Sequence, residues 1–255
     1  MSGNSAVIVG EDGEENDLGT IGALLPEDTS QAPANTVGDE LLSRASLQFE
    51  HAVGFVLDTL RSDPRDEVQA KGLRAISQIA ERKDGRETLI KHGAVETVIE
   101  AMLSAVEEEV ELQASGCSGL ANLAISEGEA VVHKHGGLKA VIAAGQAHPA
   151  DLAVQTKVCA AIGNLAYSSD GEKATLEGGG VEAVCAAMRA HPADAALQEE
   201  GVDALVNVCD SEAGKRRLLE MGGLAVVAAA KKHEKCAEAA GAFAASLVAL
   251  AKASA

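Results

Sequence analysis

Apolar residues recur at helical spacing along most of this chain. The stretch 152–165 reads LAVQTKVCAAIGNL, and five of its apolar positions fall at i, i+4, i+7, i+8 and i+11. These positions are Val154, Val158, Ala161, Ile162 and Leu165. This spacing places the side chains along one face of an α-helix. The pattern therefore predicts a helix with one buried face, which follows a turn and ends near an asparagine.

The same pattern returns every 43 residues from about residue 45 onward. Gly93, Gly136, Gly179 and Gly222 follow one another at this interval, and each opens a similar motif, from HGAVETV to MGGLAVV. A second motif contains the asparagine: LANLA, IGNLA and LVNVC. A repeat of this length is typical of a solenoid, in which each unit buries its apolar faces against its neighbours.

Each unit divides into three predicted helices. The first, for example over 126–135, ends at the glycine, since glycine readily adopts the left-handed conformation at a helix end. The second covers about 136–147. The third begins after a turn and continues to the asparagine motif.

The turn between the second and third helices contains AHPAD twice, at 147–151 and 190–194. We expect its proline to start the third helix and its aspartate to favour the positive helix N-terminus. Its histidine is expected near the end of the second helix. The residues concerned are His148, Pro149 and Asp151 in the first copy and His191, Pro192 and Asp194 in the second. The repetition thus indicates architecture, and no metal site is predicted.

Composition supports an all-helical protein and narrows the range of partners. Hydrophobic residues make up 47% of the 255 residues, but there is no Trp, one Tyr and three Phe. Alanine, leucine and valine dominate, which favours close packing of helices. The net charge of −18 argues against nucleic acid and anionic membrane surfaces as partners, because both require clustered Lys and Arg. A basic protein partner is compatible with this charge, and so is a simple role in solubility.

The N-terminal 44 residues differ from the rest. Residues 1–40 contain nine acidic residues and no Lys or Arg, and no helical period holds. We therefore predict an acidic disordered tail over 1–44. The segment AVIVG at 6–10 is short enough to be either a strand or a docking peptide.

The cysteines and the apolar segments indicate a reducing compartment. None of the five cysteines forms a C-x-x-C pair, no secretory leader is recognisable, and the uncharged run 239–251 is too short to span a bilayer. We expect a cytoplasmic protein, with a nuclear location also possible. Cys117 and Cys159 share a repeat position with Leu73 and Val202, which indicates packing and not nucleophilic chemistry. Nothing in the chain predicts an enzyme, a metal or a cofactor.

Together, the glycine-started helix and the helix V/L-Q-x-x-small…N-L-A, repeated at 42–44 residues, resemble the armadillo repeat. The resemblance covers about residues 45–255. It divides them into a partial unit at 45–92 and units at 93–135, 136–178, 179–221 and 222–255. It implies an all-α, right-handed α-solenoid of three-helix repeats, whose third helices line a concave groove that holds an extended peptide.

The resemblance also implies site residues. The asparagine that bonds a peptide backbone in this family corresponds to Asn122, Asn164 and Asn207, with Gln78 in the first unit. An amide carries a donor and an acceptor, so it can pair with a peptide unit whatever its side chain. The alternative is that each asparagine bonds local backbone at the end of its own helix. Both interpretations remain open at this point.

Charged residues one helical turn away predict a gradient along the groove, basic at its N-terminal end and acidic at its C-terminal end. The further groove candidates are Lys71, Arg74, Ser118, Lys157 and Asp203. Import adaptors of this family have a Trp four residues before each asparagine, where this chain has Ser118, Ala160 and Asp203. Nuclear-import cargo binding of that kind is therefore not expected.

The expected function is that of a non-enzymatic scaffold or adaptor that binds a protein segment in the groove. The alternative is a regulator or chaperone of a folded client, such as a small GTPase with a polybasic segment. The terminal helix 236–251 contains Phe243, Leu247 and Leu250 but only one charged residue, Glu238. With no unit after it, this helix is a candidate surface for docking or self-association.

Overall fold

The computed structural model describes residues 7–9, 15–17, 36–105 and 109–253. Two short strands, β1 (Val7–Val9) and β2 (Glu15–Asp17), pair in antiparallel fashion. The first helix begins at Thr36, so it starts inside the segment assigned to the tail. The segment 7–9, for which two interpretations were open, forms a strand. The rest of the predicted tail lies outside the described residues.

The remainder of the described chain is helical. The helices are α1 (Thr36–Ser62), α2 (Asp66–Ala80), α3 (Lys83–Lys91), α4 (Ala94–Ser104), α5 (Val110–Leu123), α6 (Gly128–Lys134), α7 (Gly137–Ala147), α8 (Leu152–Leu165), α9 (Ser169–Glu177), α10 (Gly180–Ala190), α11 (Ala195–Val208), α12 (Glu212–Glu220), α13 (Gly223–Ala230) and α14 (Ala237–Ala253). A 3-10 turn over Glu234–Cys236 precedes α14.

These helices repeat in groups of three, which confirms the predicted α-solenoid. The first helices are α3, α6, α9 and α12, and each leads into a second helix: α4, α7, α10 and α13. The third helices α2, α5, α8 and α11 pack side by side, and α14 continues the series. Helix α1 takes the place of the second helix in the first unit, because it packs on α2 and α4.

A glycine in the left-handed conformation separates each first helix from the second, as predicted. The four φ angles are 77° at Gly93, 83° at Gly136, 92° at Gly179 and 69° at Gly222. A Cβ atom disfavours this region of backbone space, and glycine lacks one. These four positions therefore set where the chain bends between the first two helices of each unit.

The two AHPAD turns are architectural, but their prolines do not start the third helices. Asp151 caps α8, because its Oδ1 accepts a hydrogen bond from the Val154 N–H at 2.9 Å, and Asp194 caps α11 in the same way. Helix α8 begins at Leu152, so Pro149 lies in the turn before it. The expectation for the prolines was wrong because the capping aspartate determines the first helical residue.

Carbonyl groups in these turns link neighbouring units. The Pro149 carbonyl accepts a hydrogen bond from His191 Nε2 at 3.2 Å, and the Pro192 carbonyl accepts one from His233 Nε2 at 3.1 Å. His191 is the C-cap residue that follows α10, in agreement with its predicted position near the end of that helix. His191 and His233 thus join their own turns to the turn of the preceding unit, whereas the buried Nε2 of His148 has no hydrogen-bond partner among the described residues.

A buried glutamine near the start of each third helix binds the end of the second helix. Gln155 Nε2 donates to the carbonyls of Gly145 and His148, at 2.7 and 2.9 Å. Gln198 repeats this arrangement with Met188 and His191, at 2.9 and 3.2 Å. The last carbonyls of a helix have no partner within the helix, so this side chain satisfies them. The glutamine was visible in the repeat motif, but its role was not predicted.

The core is one continuous cluster along the array. The predicted apolar face of α8 is fully inside it, since all five of its residues are at most 1% exposed. All five cysteines are buried free thiols. Burial raises the pKa of the Cys117 and Cys159 thiols to about 12, which keeps them protonated and agrees with a packing role.

The last helix packs onto the array through two of the three residues that had suggested a docking surface. Phe243 is 7% exposed and Leu247 is completely buried, and α14 contacts α11, α12 and α13. Those two side chains therefore give no support to self-association. The outward positions are mostly alanine, for example Ala242, Ala245 and Ala249.

The apolar segment at this end of the chain is longer than the uncharged run 239–251 considered in the sequence analysis. Among the described residues, Glu234–Ala253 has the length and the mean hydropathy, 1.4, of a segment that could cross a membrane, and 22% of it is buried. The same composition is expected of an alanine-rich helix that closes a helical array. The absence of membrane insertion stays a prediction.

Candidate protein-binding face

The third helices present a common surface along the array. We call it the third-helix face, and define it as the solvent-facing side of α2, α5, α8 and α11. All of the sequence-predicted groove residues belong to these four helices: Lys71, Arg74, Gln78, Ser118, Asn122, Lys157, Asn164, Asp203 and Asn207. The periodicity therefore brings the candidates together on one set of adjacent helices, although they span 137 positions of the sequence, from 71 to 207.

The three asparagines connect successive units. Each donates an Nδ2–H to a backbone carbonyl of the preceding third helix: Asn122 to Ser77 at 2.9 Å, Asn164 to Ala121 at 2.8 Å and Asn207 to Gly163 at 3.0 Å. The partner is not the end of their own helix, so the local interpretation is wrong.

Part of each asparagine amide is still available. The three side chains are half-buried, and within the described part of the chain their Oδ1 atoms accept no hydrogen bond. An amide has two N–H donors and an acceptor oxygen. Asn164 and Asn207 use one donor each, whereas Asn122 Nδ2 also donates to Ser77 Oγ at 3.4 Å. All three asparagines can therefore support the array and still offer an acceptor to a bound chain, and Asn164 and Asn207 also offer a donor.

Ion pairs within the scaffold neutralise the N-terminal end of the face. Lys71 Nζ lies 2.7 Å from Glu67 Oε1, and Arg74 pairs with Glu111 of the next third helix. Ser118 also bonds between units, because it accepts a hydrogen bond from Ser77 Oγ at 2.9 Å. The basic residues are where the sequence placed them, but their charges already have partners.

The C-terminal end of the face retains its negative charge. Among the described residues, Glu200 and Asp203 form no ion pair. Burial raises the pKa of Glu200, and the charge of nearby Asp203 raises it further, while Lys157 lowers it. Burial and the charge of Glu199 raise the pKa of Asp203. Repelling carboxylates with one nearby lysine form a region that gains from a positively charged ligand.

The structure adds residues that the sequence reasoning missed. Tyr167 is 81% exposed and lines a cavity of about 140 Å³ beside Asn207, together with Val206 and Asp210. Tyr167 and Asp210 both stand three residues after an asparagine, and Ile125 occupies the same position one unit earlier. That register is the signal that would have found them. Tyr167 is also the only tyrosine of the chain.

Within the described ranges, no group of three or more His, Cys, Asp or Glu side chains is arranged to hold a metal ion. Two of the repeated histidines bind turn carbonyls instead, as described above. The third-helix face therefore offers hydrogen-bonding groups and carboxylates, and the turn after α8 adds the exposed aromatic ring of Tyr167 beside it.

No family model and no curated protein sequence matches this chain. Solved structures do match. An engineered protein aligns with a TM-score of 0.69 and 21% identity, over 91% of this chain and 98% of its own. A designed armadillo repeat protein aligns with a TM-score of 0.68 and 19% identity, over 91% and 100%. Another, solved in complex with the peptide (KR)4, aligns with a TM-score of 0.68 and 20% identity, over 91% and 99%. The chain therefore has the armadillo-type repeat fold that its motifs predicted.

Proposed function

We propose that this armadillo-type solenoid is a non-enzymatic scaffold that binds an extended protein segment rich in Lys and Arg on its third-helix face. The observation that carries the proposal is that the basic residues at one end of the face are held in ion pairs, while the acidic residues at the other end are not. Lys71 and Arg74 are held in ion pairs, whereas Glu200 and Asp203 have none among the described residues.

A cationic ligand is favoured by the energetics of that region. Besides burial, the charge of Asp203 raises the pKa of Glu200, and the charge of Glu199 raises the pKa of both Glu200 and Asp203. These carboxylates therefore repel one another, and a guanidinium or ammonium group between them relieves the repulsion. Asp210 adds a third carboxylate next to Tyr167 at the end of the neighbouring helix. A cation is attracted to both groups, since the face of an aromatic ring also favours positive charge.

The asparagines supply the part of recognition that does not depend on side chains. Asn122, Asn164 and Asn207 recur at nearly the repeat interval. Each has an acceptor oxygen free of the scaffold among the described residues, and Asn164 and Asn207 also have a free donor. An extended peptide presents its own N–H and C=O groups periodically, so it can match such a series. The asparagines would bind the peptide backbone, and the carboxylates at one end of the face would select its basic side chains. The expected ligand is therefore a basic segment bound in one orientation.

The likeness to a designed armadillo repeat protein in complex with (KR)4 supports the class of ligand. That protein has the same fold at 20% identity, and its peptide, (KR)4, alternates Lys and Arg. It supports a basic peptide as the first probe for this chain.

A second candidate is a regulator or chaperone of a folded client that carries a polybasic segment. The same acidic end of the face favours it, and the net charge of −18 assists the approach of a basic client. The two candidates differ in what suffices for binding. A scaffold for a linear segment binds the isolated peptide as tightly as the whole partner, whereas a client regulator needs the folded domain.

The test is fluorescence anisotropy of a labelled (KR)4 peptide, with a (GS)4 peptide as the uncharged control. We expect Glu200→Lys/Asp203→Lys to weaken (KR)4 binding at least about tenfold, because it reverses two carboxylate charges that have no ion-pair partner among the described residues. Glu100→Lys/Glu177→Lys makes the same change in net charge on exposed positions of α4 and α9. Equal losses in the two variants would show that only net charge matters, and the proposed face would then be wrong.

A further inference from the structure

A separate cavity opens between the second helices α7 and α10. Its volume is about 450 Å³, within the range of small-molecule sites. Its walls are largely apolar and include Ile142, Val158 and Ala183. Ala186 and Ala190 are exposed at its mouth, and Gly178 and Gly179 form one side. None of the third-helix-face residues named above lines it.

The cavity occurs where a repeated pair of side chains is reversed. In two units a methionine of the second helix fills the space above a glycine of the third helix. A Cβ on Gly116 would lie 2.4 Å from Met102 Cγ, and one on Gly201 would lie 2.5 Å from Met188 Cγ. In the unit between them the glycine is on the second helix, Gly145, and the larger residue, Val158, is on the third.

This reversal leaves the space beside α7 open. Met102 and Met188 are almost completely buried at the position that Gly145 occupies in the intermediate unit. Val158 is smaller than methionine and starts from the opposite helix. On the facing helix, Ala183, Ala186 and Ala190 add little volume. The cavity is thus a local departure from the repeat, built from small residues on both of its sides.

Two hydrogen-bond acceptors belong to this mostly apolar wall. Arg217 holds Oε1 of Glu182, with its Nε at 2.8 Å, while Oε2 is buried and has no hydrogen-bond partner in the described structure. Gln155 is 4% exposed and uses its Nε2 on the carbonyls of Gly145 and His148. Its Oε1 accepts no hydrogen bond from the described residues.

A buried carboxylate oxygen without a donor is costly, and a ligand that brings a donor removes the cost. The wall therefore selects for N–H groups. A positively charged N–H group also interacts with the Glu182 carboxylate, which Arg217 binds only through its other oxygen. The apolar remainder of the wall selects for a hydrocarbon chain beside that charge. Both conditions are met by a primary alkylammonium group on a stem of about four to six carbons.

We propose that this cavity, lined by Gly145, Val158, Gln155, Glu182 and Ala186, binds a primary alkylammonium group. The ammonium lies against the Glu182 carboxylate and the Gln155 amide oxygen, and the stem lies between α7 and α10. The group comes either from a free amine or from a lysine side chain of a protein partner. The proposal does not depend on the third-helix face, so either can fail without the other.

The experiment follows the amide resonances of Gly145, Gly178 and Gly179 by 1H–15N NMR, during titration with n-pentylammonium. 1-Pentanol is the neutral ligand of matched shape. Three variants accompany the wild-type chain: Ala186→Leu occupies the mouth, Ala143→Leu makes the same change on an exposed position of α7 outside the cavity, and Glu182→Gln removes the charge. An acetyl-lysine-amide arm tests the side-chain source.

We expect saturable shifts of the three glycine amides in the wild type and in Ala143→Leu, and at least about fivefold weaker binding in Ala186→Leu and Glu182→Gln. Binding of acetyl-lysine-amide in addition to the amine assigns the site to a protein partner, and binding of the amine alone assigns it to a small molecule. The proposal is overturned if the glycines do not shift, if Ala186→Leu binds like the wild type, or if 1-pentanol binds as tightly and Glu182→Gln changes nothing.

Discussion

The asparagine series can be tested first as a structural device. In the variant Asn122→Ala/Asn164→Ala/Asn207→Ala, three hydrogen bonds of 2.8 to 3.0 Å between neighbouring third helices are lost. A hydrogen bond of this kind contributes about 1 kcal/mol net, because the unfolded groups bond to water. The side chains are half-buried, so water can reach part of the carbonyls they leave behind. We expect a total loss of about 3 kcal/mol in the free energy of unfolding.

The assay is urea denaturation followed by circular dichroism. With a slope of roughly 2 to 3 kcal/mol per molar urea, the loss lowers the midpoint by about 1 M. The matched control is Gln78→Ala/Lys157→Ala, which changes exposed residues of the same face that make no bond between units. It should change the free energy of unfolding by less than about 0.5 kcal/mol.

The result that would refute the reasoning is an unchanged midpoint in the asparagine variant. The asparagine amides would then contribute nothing between units, and the whole amide would be free for a ligand. A complementary variant, Asn164→Asp, keeps the shape but replaces the N–H donor with an oxygen facing the Ala121 carbonyl. We expect it to be less stable than Asn164→Ala, since it adds repulsion to the lost bond.

Three further predictions follow from other parts of the structure. Gln198→Glu retains the shape of a 2%-exposed side chain but loses both donors, so we expect a cost of about 2 to 4 kcal/mol in urea denaturation, and a cost below about 1 kcal/mol would contradict its capping role. Gly136→Ala should lower the free energy of unfolding by about 1 to 2 kcal/mol, because alanine disfavours φ of 83°, whereas Gly54→Ala in the middle of α1 should raise it by about 0.5 to 1 kcal/mol. A Cβ meets no atom within 4 Å at either site, so equal effects of the two substitutions would exclude backbone strain as the cause. The pKa values of Glu200 and Asp203 are raised in the folded state, so these groups favour folding below the ordinary carboxyl range and lose that contribution as the pH rises through the raised values. Affinity for (KR)4 has the opposite dependence, because it needs the charged carboxylates: anisotropy titrations from about pH 7 to about pH 4 should show weakening that begins above the ordinary pKa of Asp and Glu, and a constant affinity would exclude these two groups.

Several features of the array follow from short stretches of sequence. Gly136 requires no distant partner to indicate a bend, because only its own backbone angle is involved. Asp151 likewise caps the helix in which it stands, through a bond to a residue three positions away. Such signals are local, and their recurrence every 43 residues gives the same evidence in each unit. The division into three-helix units could therefore be predicted, and the structure confirms it.

The error at the AHPAD turns shows where local reasoning becomes insufficient. Pro149 and Asp151 are both compatible with a helix start, and the sequence alone does not say which of them sets it. The aspartate does, and the proline carbonyl becomes an acceptor for His191 of the following unit. That second interaction depends on how far one unit is displaced from the next.

For the candidate site, too, the sequence predicted one part and only the tertiary structure decided the other. Membership of the third-helix face was predictable, because helical period and repeat length together determine which side chains share a face. The hydrogen bonds and ion pairs that each side chain forms were not predictable. Asn164 bonds a carbonyl 43 positions earlier, Arg74 pairs with a carboxylate 37 positions later, and Tyr167 borders a cavity whose other side is a different helix.

Helical period, left-handed glycines and capping residues thus act within one unit, and reading the chain was enough to recognise them. Hydrogen bonds between asparagines and carbonyls, the neutralisation of the basic end and the cavity beside Gly145 all depend on the offset between adjacent units. That offset results from packing of complete helix faces, in which a single exchange such as glycine for methionine changes the space available. The partners and the strengths of these interactions are therefore decided only when the units stack in the tertiary structure.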